Sequence, residues 1–120
     1  MDIEITDQYL KTAKIRRKKL QATCRARYDR AWDVARQAAG LLKETYHVSR
    51  VVVFGSLVAS DQFHLRSDID LAIWGIDDRD YYQAVGVLQS LDREITIDVI
   101  IYDEAKEYLQ RAIDREGISI

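Results

Sequence analysis

The chain has 120 residues, 48% of them hydrophobic and 32% charged, with a formal net charge of −2. That fits one soluble globular domain, long enough for a real core and too short for two. The single cysteine, Cys24, excludes an internal disulfide; no amino-terminal signal pattern and no apolar run of membrane-spanning length appear, so the expected compartment is the cytoplasm, with no membrane partner.

Charge is uneven along the chain. Residues 1–60 carry 12 Lys or Arg against 6 Asp or Glu, and residues 61–120 carry 6 against 14, so the halves are +6 and −8. Nine of the basic residues fall between Lys11 and Arg30, including the block KIRRKK. A solvated helix face is the reading such runs favour. A dock for an acidic partner and a nucleic-acid arm are the alternatives.

In chain order, apolar residues from Leu20 recur at Cys24, Tyr28, Ala31, Trp32, Ala35, Ala38, Ala39, Leu42 and Tyr46. The spacing of three and four marks one stripe of an amphipathic helix. Upstream, Thr6 to Lys19 is also helical in pattern, but Arg16 falls where the stripe would continue, which leaves a break or a projecting arm as outcomes. VVVF after HVSR is a continuous β-branched run suited to a strand buried on both faces and ended by Gly55. LAIW (Leu71–Trp74) is a second strand, closed by Gly75, and EITIDVIIY (Glu94–Tyr102) a third. Between them DDRDYYQAVGVLQSL opens with aspartates suited to a helix N-terminus and carries Tyr81, Val85, Leu88 and Leu91 at helical intervals. Asp103 has the position of a cap for a last helix, EAKEYLQRAIDRE, which Gly117 would end. The expected fold is a small sheet covered by helices, with ligands at the strand ends.

The chemistry lies in GSLVASDQFHLRSDIDLAIWG. Residues two apart on a strand point to one side, so Asp68 and Asp70 project together at the mouth of the second strand. On the third strand Ile95, Ile97, Val99 and Ile101 share a face, which puts Asp98 on the other. If the two strands are neighbours, the three acids form a cluster of hard oxygen ligands suited to Mg²⁺, or Mn²⁺ in its place. Gly55 lets a ligand approach the backbone, and Ser56 with the amides that follow offers donors to an anion such as a triphosphate. Singly, each feature is a commonplace turn or cap; the combination carries the functional reading. Phosphatases of the haloacid-dehalogenase type place their Asp-x-Asp after a strand rather than before it, metal-dependent glycosyltransferases need a larger domain, and no Walker P-loop is present.

VVVFGSLVASDQFHLRSDIDLAIWG followed by ITIDVII resembles the minimal nucleotidyltransferase (MNT) branch of the DNA polymerase β superfamily: Gly-Ser, a spacer, Asp-x-Asp, then a third acid on a later strand. The resemblance runs from about Arg50 to the C-terminus, where AIDREGISI also resembles the branch's ending. Leu57 to Ser67 makes a spacer of eleven residues, longer than is usual in the branch, which a loop insertion would absorb. The resemblance implies an α+β nucleotidyltransferase fold, a small mixed β-sheet covered by helices. Residues 1–48 would be a helical extension packed on a core at 49–120, the whole forming a single compact domain. Gly55 and Ser56 would hold nucleotide phosphates, and Asp68 and Asp70 would bind divalent ions. Asp98 would complete the metal site and take the proton of the attacking hydroxyl, with Glu94 a weaker candidate for that duty. Ser67 is a further nucleotide-binding candidate, with a turn cap as its alternative. His64 and Arg66 are loop residues or phosphate contacts. The branch is paired with HEPN-family partners, often ribonuclease toxins, so the resemblance implies an antitoxin that transfers AMP from ATP to a partner hydroxyl, in a homo- or hetero-oligomer. A non-catalytic antitoxin that masks its partner by contact is the alternative.

Overall fold

The computed structural model describes residues 2–120, with side chains for 6–59 and 61–120. Met1, the first residue of the expected extension, lies outside the described residues. Helix α1 runs unbroken over Asp2–Tyr46, 45 residues with no proline and a single glycine, Gly40. Of the two outcomes open at Arg16, the chain takes the projecting arm. At about 1.5 Å per residue the helix is about 68 Å long, which accounts for a molecule of 69 × 29 × 19 Å.

Only the second half of α1 packs. Ala31, Val34, Ala35, Ala38, Ala39, Leu42 and Tyr46 are buried in the main core. Val34 joins the expected stripe, whereas Leu20, expected to open it, is 56% exposed because the core stops short of it. Further out, Tyr9, Leu10 and Ile15 are exposed as well. The helix ends at His47, whose φ of 57° turns the chain back, and the Val48 amide donates to the Leu42 carbonyl at 3.1 Å.

Four strands follow: β1 (Arg50–Phe54), β2 (Ile69–Trp74), β3 (Ile97–Ile101) and β4 (Ile118–Ser119), in the order β3-β2-β1-β4. β1 is antiparallel to β2 and β4, and β2 is parallel to β3. A parallel neighbour requires a crossover, and α2 (Asp78–Gln89) lies within it, capped by the Asp77 carboxylate, which accepts the Arg79 amide. β4 was not foreseen, since two exposed residues carry no alternation for a pattern to register. The third strand is shorter than expected because Asp92 organises a turn before it and a 3-10 turn, Tyr102–Glu104, follows it. Asp103 therefore lies inside that turn and caps nothing: α3 (Glu107–Glu116) begins after Lys106 and ends at Gly117. A Cβ on Gly117 would collide with Val52 Cγ1, so glycine is required where the chain crosses the sheet.

The sheet is buried on both faces, as the VVVF run implies. Val51, Val53, Leu71, Ile73, Ile97 and Val99 join the core with α1 and α2. The other face is arranged in rows across three strands. Phe54, Asp70 and Asp98 form the first, and Val52, Ala72 and Ile100 the second. In the third, Arg50 lies over the Trp74 ring at 4.7 Å and Trp74 stacks on Tyr102 at 4.6 Å. Ile113 and Leu109 of α3 cover the middle row.

Two arginines of α1 fasten the loops that precede β2 and β3. Arg27 Nη2 donates to the carbonyls of Ser67 and Glu94 at 3.2 and 3.1 Å. Arg30 Nε donates to Asp92 Oδ2 at 2.5 Å, and Asp92 Oδ1 accepts the amides of Glu94 and Ile95 at 2.8 and 3.0 Å. The Asp92 side chain is 1% exposed. Burial pushes its pKa up, but the two amides and the Arg30 guanidinium outweigh burial and hold the carboxyl below its ordinary value of 3.8. Asp92→Ala leaves those donors unpaired and is expected to destabilise the fold by about 2–4 kcal/mol at pH 7 in urea denaturation. The folded-state pKa is depressed, so the ionic part of this stability is present above the unfolded value of 3.8 and is lost as the pH falls through the lower folded value. A gap between wild type and variant that already closes at pH 6 would contradict the assignment.

Candidate active site

The structure brings Asp68, Asp70 and Asp98 to one end of the sheet's second face. Asp70 of β2 is the cross-strand partner of Asp98 on β3. Asp68 stands two residues before Asp70, at the mouth of the strand. Asp98 is exposed and the other two are partly buried. Asp70 records their proximity: burial, then the charges of Asp98 and Asp68, raise its pKa from 3.8 to about 6.

Gly55 faces this group from the end of β1. Its φ is +78°, a conformation that L side chains rarely adopt, and a Cβ there would strike Asp70 Oδ2. The bare backbone thus comes up against the carboxylate. The chain then enters a 3-10 turn, Gly55–Leu57, which includes Ser56, and the Gly55 carbonyl accepts the amides of Val58 and Ala59, both at 3.2 Å.

Ser67 is placed differently. It is 5% exposed, its hydroxyl accepts the His64 amide at 2.9 Å, and its own amide donates to the His64 carbonyl at 3.0 Å. Those bonds make it a clamp of the loop before Asp68. His64 Nδ1 in turn accepts the Arg66 amide at 3.1 Å. The Glu94 carbonyl receives Arg27, which ties that residue to the same clamp from the β3 side.

Residues outside the motif also hold the acids in place. The Ile69 amide donates to the Thr96 carbonyl at 2.9 Å, so the starts of β2 and β3 are tied directly. β3 is an edge strand, and the Gln89 side chain pairs with both the amide and the carbonyl of Ile97, next to Asp98. Tyr81 donates its hydroxyl to the Val99 carbonyl at 2.6 Å. Burial raises the Tyr81 pKa, with smaller contributions from Tyr82, Glu104 and Asp98. In the sequence, Tyr81 shows only as one apolar position of a helix and Gln89 shows no signal. Arg27 is hidden in a run that reads as solvated charge.

The ion pairs among the described residues leave Asp68, Asp70 and Asp98 out. No three His, Cys, Asp or Glu side chains among the described residues are already drawn close enough to enclose a metal ion. The donor set nonetheless fits a hard divalent cation in kind and charge: three carboxylates, one with its ionisation suppressed by burial and by the other two, beside a backbone stripped of its Cβ.

The family described as "Polymerase beta, Nucleotidyltransferase" matches residues 37–120. No curated protein matches the chain by sequence. Among solved structures, a toxin–antitoxin with AMP-PNP is similar at 21% identity, covering 71% of this chain and 70% of that one with a TM-score of 0.59. The complex of a tri-AMPylated Shewanella oneidensis HEPN toxin with its MNT antitoxin is similar at 17% identity, covering 74% and 70%, TM-score 0.55. A structure provisionally assigned as a minimal nucleotidyltransferase is similar at 24% identity, covering 82% and 94%, TM-score 0.57. At these identities the likeness is one of fold. No helix of the described residues is long and apolar enough to cross a membrane.

Two outcomes follow from this geometry. Gly55→Ala is expected to lower stability by on the order of 1–2 kcal/mol from the backbone alone, with more from the clash at Asp70; a variant as stable as wild type in urea would contradict the close approach. For Asp70 the folded pKa of about 6 lies above the unfolded 3.8, so ionisation weakens the fold: the penalty is complete above the folded value and vanishes as the pH falls below the unfolded one. Asp70→Asn should therefore melt higher than wild type at pH 8, with the two curves converging by about pH 3. Equal melting temperatures throughout would mean that neither burial nor the neighbouring charges act on Asp70.

Proposed function

We propose that this chain, which belongs to the polymerase β nucleotidyltransferase family, transfers a nucleoside monophosphate, AMP from ATP, to a hydroxyl of a HEPN-family partner protein and serves as its antitoxin. The single observation that carries the catalytic part is the row that sets Asp70 beside Asp98 with Asp68 close by. The likeness to toxin–antitoxin structures, one with AMP-PNP and one with an AMPylated HEPN toxin, supports the choice of donor and partner.

In this reading Asp68, Asp70 and Asp98 hold Mg²⁺, or Mn²⁺ in its place. When bound, the ion neutralises charge on the entering and leaving oxygens of an in-line displacement at the α-phosphorus. The Gly55–Ser56 turn receives the phosphate tail, since a glycine without Cβ lets phosphate oxygens reach the backbone. Asp98, the most accessible of the three acids, takes the proton of the acceptor hydroxyl. The new bond joins the acceptor oxygen to the α-phosphorus, the bond from that phosphorus to the α–β bridging oxygen breaks, and pyrophosphate departs with the electron pair. Ser67 serves the site by fixing the loop that carries Asp68 rather than by touching the nucleotide. Residues 1–48 act as an extension and 49–120 as the catalytic core.

Labelled ATP, Mg²⁺ and the protein encoded by the gene adjacent to this chain's, whatever its family, test the reading. Label is expected on the partner, and Asp68→Asn with Asp70→Asn should lower transfer by on the order of 100-fold or more. No transfer by wild type, with neutralisation of the partner intact in the double variant, would assign this chain a role by contact alone.

A further inference from the structure

We infer that Arg27, on a part of α1 that precedes the family-matched segment, is a positioning residue that sets the spacing of the three carboxylates. The inference rests on the reading of Asp68, Asp70 and Asp98 as a cation site. Arg27 Nη2 donates to the Ser67 carbonyl, which belongs to the residue just before Asp68, and to the Glu94 carbonyl in the loop that leads into β3. One guanidinium therefore spans the two segments that deliver the acids. Next to that bridge, the Ile69 amide meets the Thr96 carbonyl at 2.9 Å. The backbone between the two ties carries Asp68 on one side, and Asp98 follows two residues beyond the other.

The Arg27 Nε is buried without a hydrogen-bond partner among the described residues, and the hydrogen bonds of the head group run from Nη2 to the two carbonyls. Arg30, one turn along, fixes the same β3 loop through Asp92. Without Arg27, the loop of residues 61–67 would keep its internal His64–Ser67 bonds and its contacts with α1 at Phe63, through Cys24 and Tyr28, but the bridge that joins the Ser67 carbonyl to the Glu94 carbonyl would be lost. Groups that orient metal ligands from behind change affinity by about 10–100-fold when removed.

Electrostatics makes the test decisive. Taking a positive charge off the chain makes its field more attractive to a cation, so charge alone predicts tighter binding in Arg27→Ala, and loss of positioning predicts weaker binding. The full chain would be titrated with Mn²⁺, free ion being followed by electron paramagnetic resonance, for wild type, Arg27→Ala, Arg27→Lys and Val34→Ala. Val34 is buried on α1 away from the bridge and reports general loss of stability. Arg27→Ala is expected to bind Mn²⁺ about 10-fold more weakly or worse, with Arg27→Lys between it and wild type and Val34→Ala like wild type. Binding by Arg27→Ala within about twofold of wild type, or an equal loss in Val34→Ala, would overturn the inference and leave the cation site standing. If Arg27→Ala does not fold, Arg27→Lys decides: binding weaker than wild type by more than about twofold supports the inference, and binding within about twofold overturns it. Failure of wild type to bind Mn²⁺ would remove the cation site itself, and this role with it.

Discussion

Like charges on adjacent strands repel, and the whole arrangement of this protein turns on tolerating that repulsion in one place. Asp70 and Asp98 share a row of the sheet, and Asp68 adds a third charge beside them. No cation of the described residues pairs with them. Burial and the neighbouring charges raise Asp70 to about 6, which is the signature of a group held in place by the surrounding structure against its own preference. Gly55 adds to this by bringing bare backbone against the same carboxylate.

What holds the acids comes from every part of the chain. The apolar row of Val52, Ala72 and Ile100 lies directly behind the acidic row and is covered by α3. Gln89 of α2 supplies the missing partner for the open edge of β3, and Tyr81 bonds the residue after Asp98. α1 divides its length between two roles. From Ala31 onward its small side chains bring it close to the sheet, and Arg27 and Arg30 reach the loops before β2 and β3. From Tyr9 to Lys19 it carries basic and apolar residues together in solvent: Tyr9 is 71% exposed, beside the Lys11–Lys19 run.

The central sheet was legible in the sequence because burial imposes a period on it. Alternation of Ile97 and Val99 against Asp98 gave the correct side for the acid, and the β-branched run of β1 gave a strand buried on both faces. The grouping of Asp68 and Asp70 near Gly55 was legible because the Gly-Ser turn, the Asp-x-Asp pair and the β-strand spacing occur together, although each alone is a commonplace turn or cap. Features set by tertiary contact left no local trace. Arg27 and Arg30 read as solvated charge until the loops they hold are seen. Asp103 has the composition of a cap, but the 3-10 turn after β3 moves the start of α3 to Glu107. Leu20 continues the periodicity of α1 beyond the point where there is anything to pack against. β4 is too short to show a pattern, and it exists because Gly117 lets the chain cross Val52 and reach β1.

The most direct test of the cation site is anomalous diffraction from crystals grown with Mn²⁺ and a non-hydrolysable nucleoside triphosphate. The account predicts a peak ligated by Asp68 and Asp70, with Asp98 facing it and the phosphate tail along Gly55 and Ser56. Manganese bound elsewhere, or nucleotide bound with the three carboxylates bare, would contradict it.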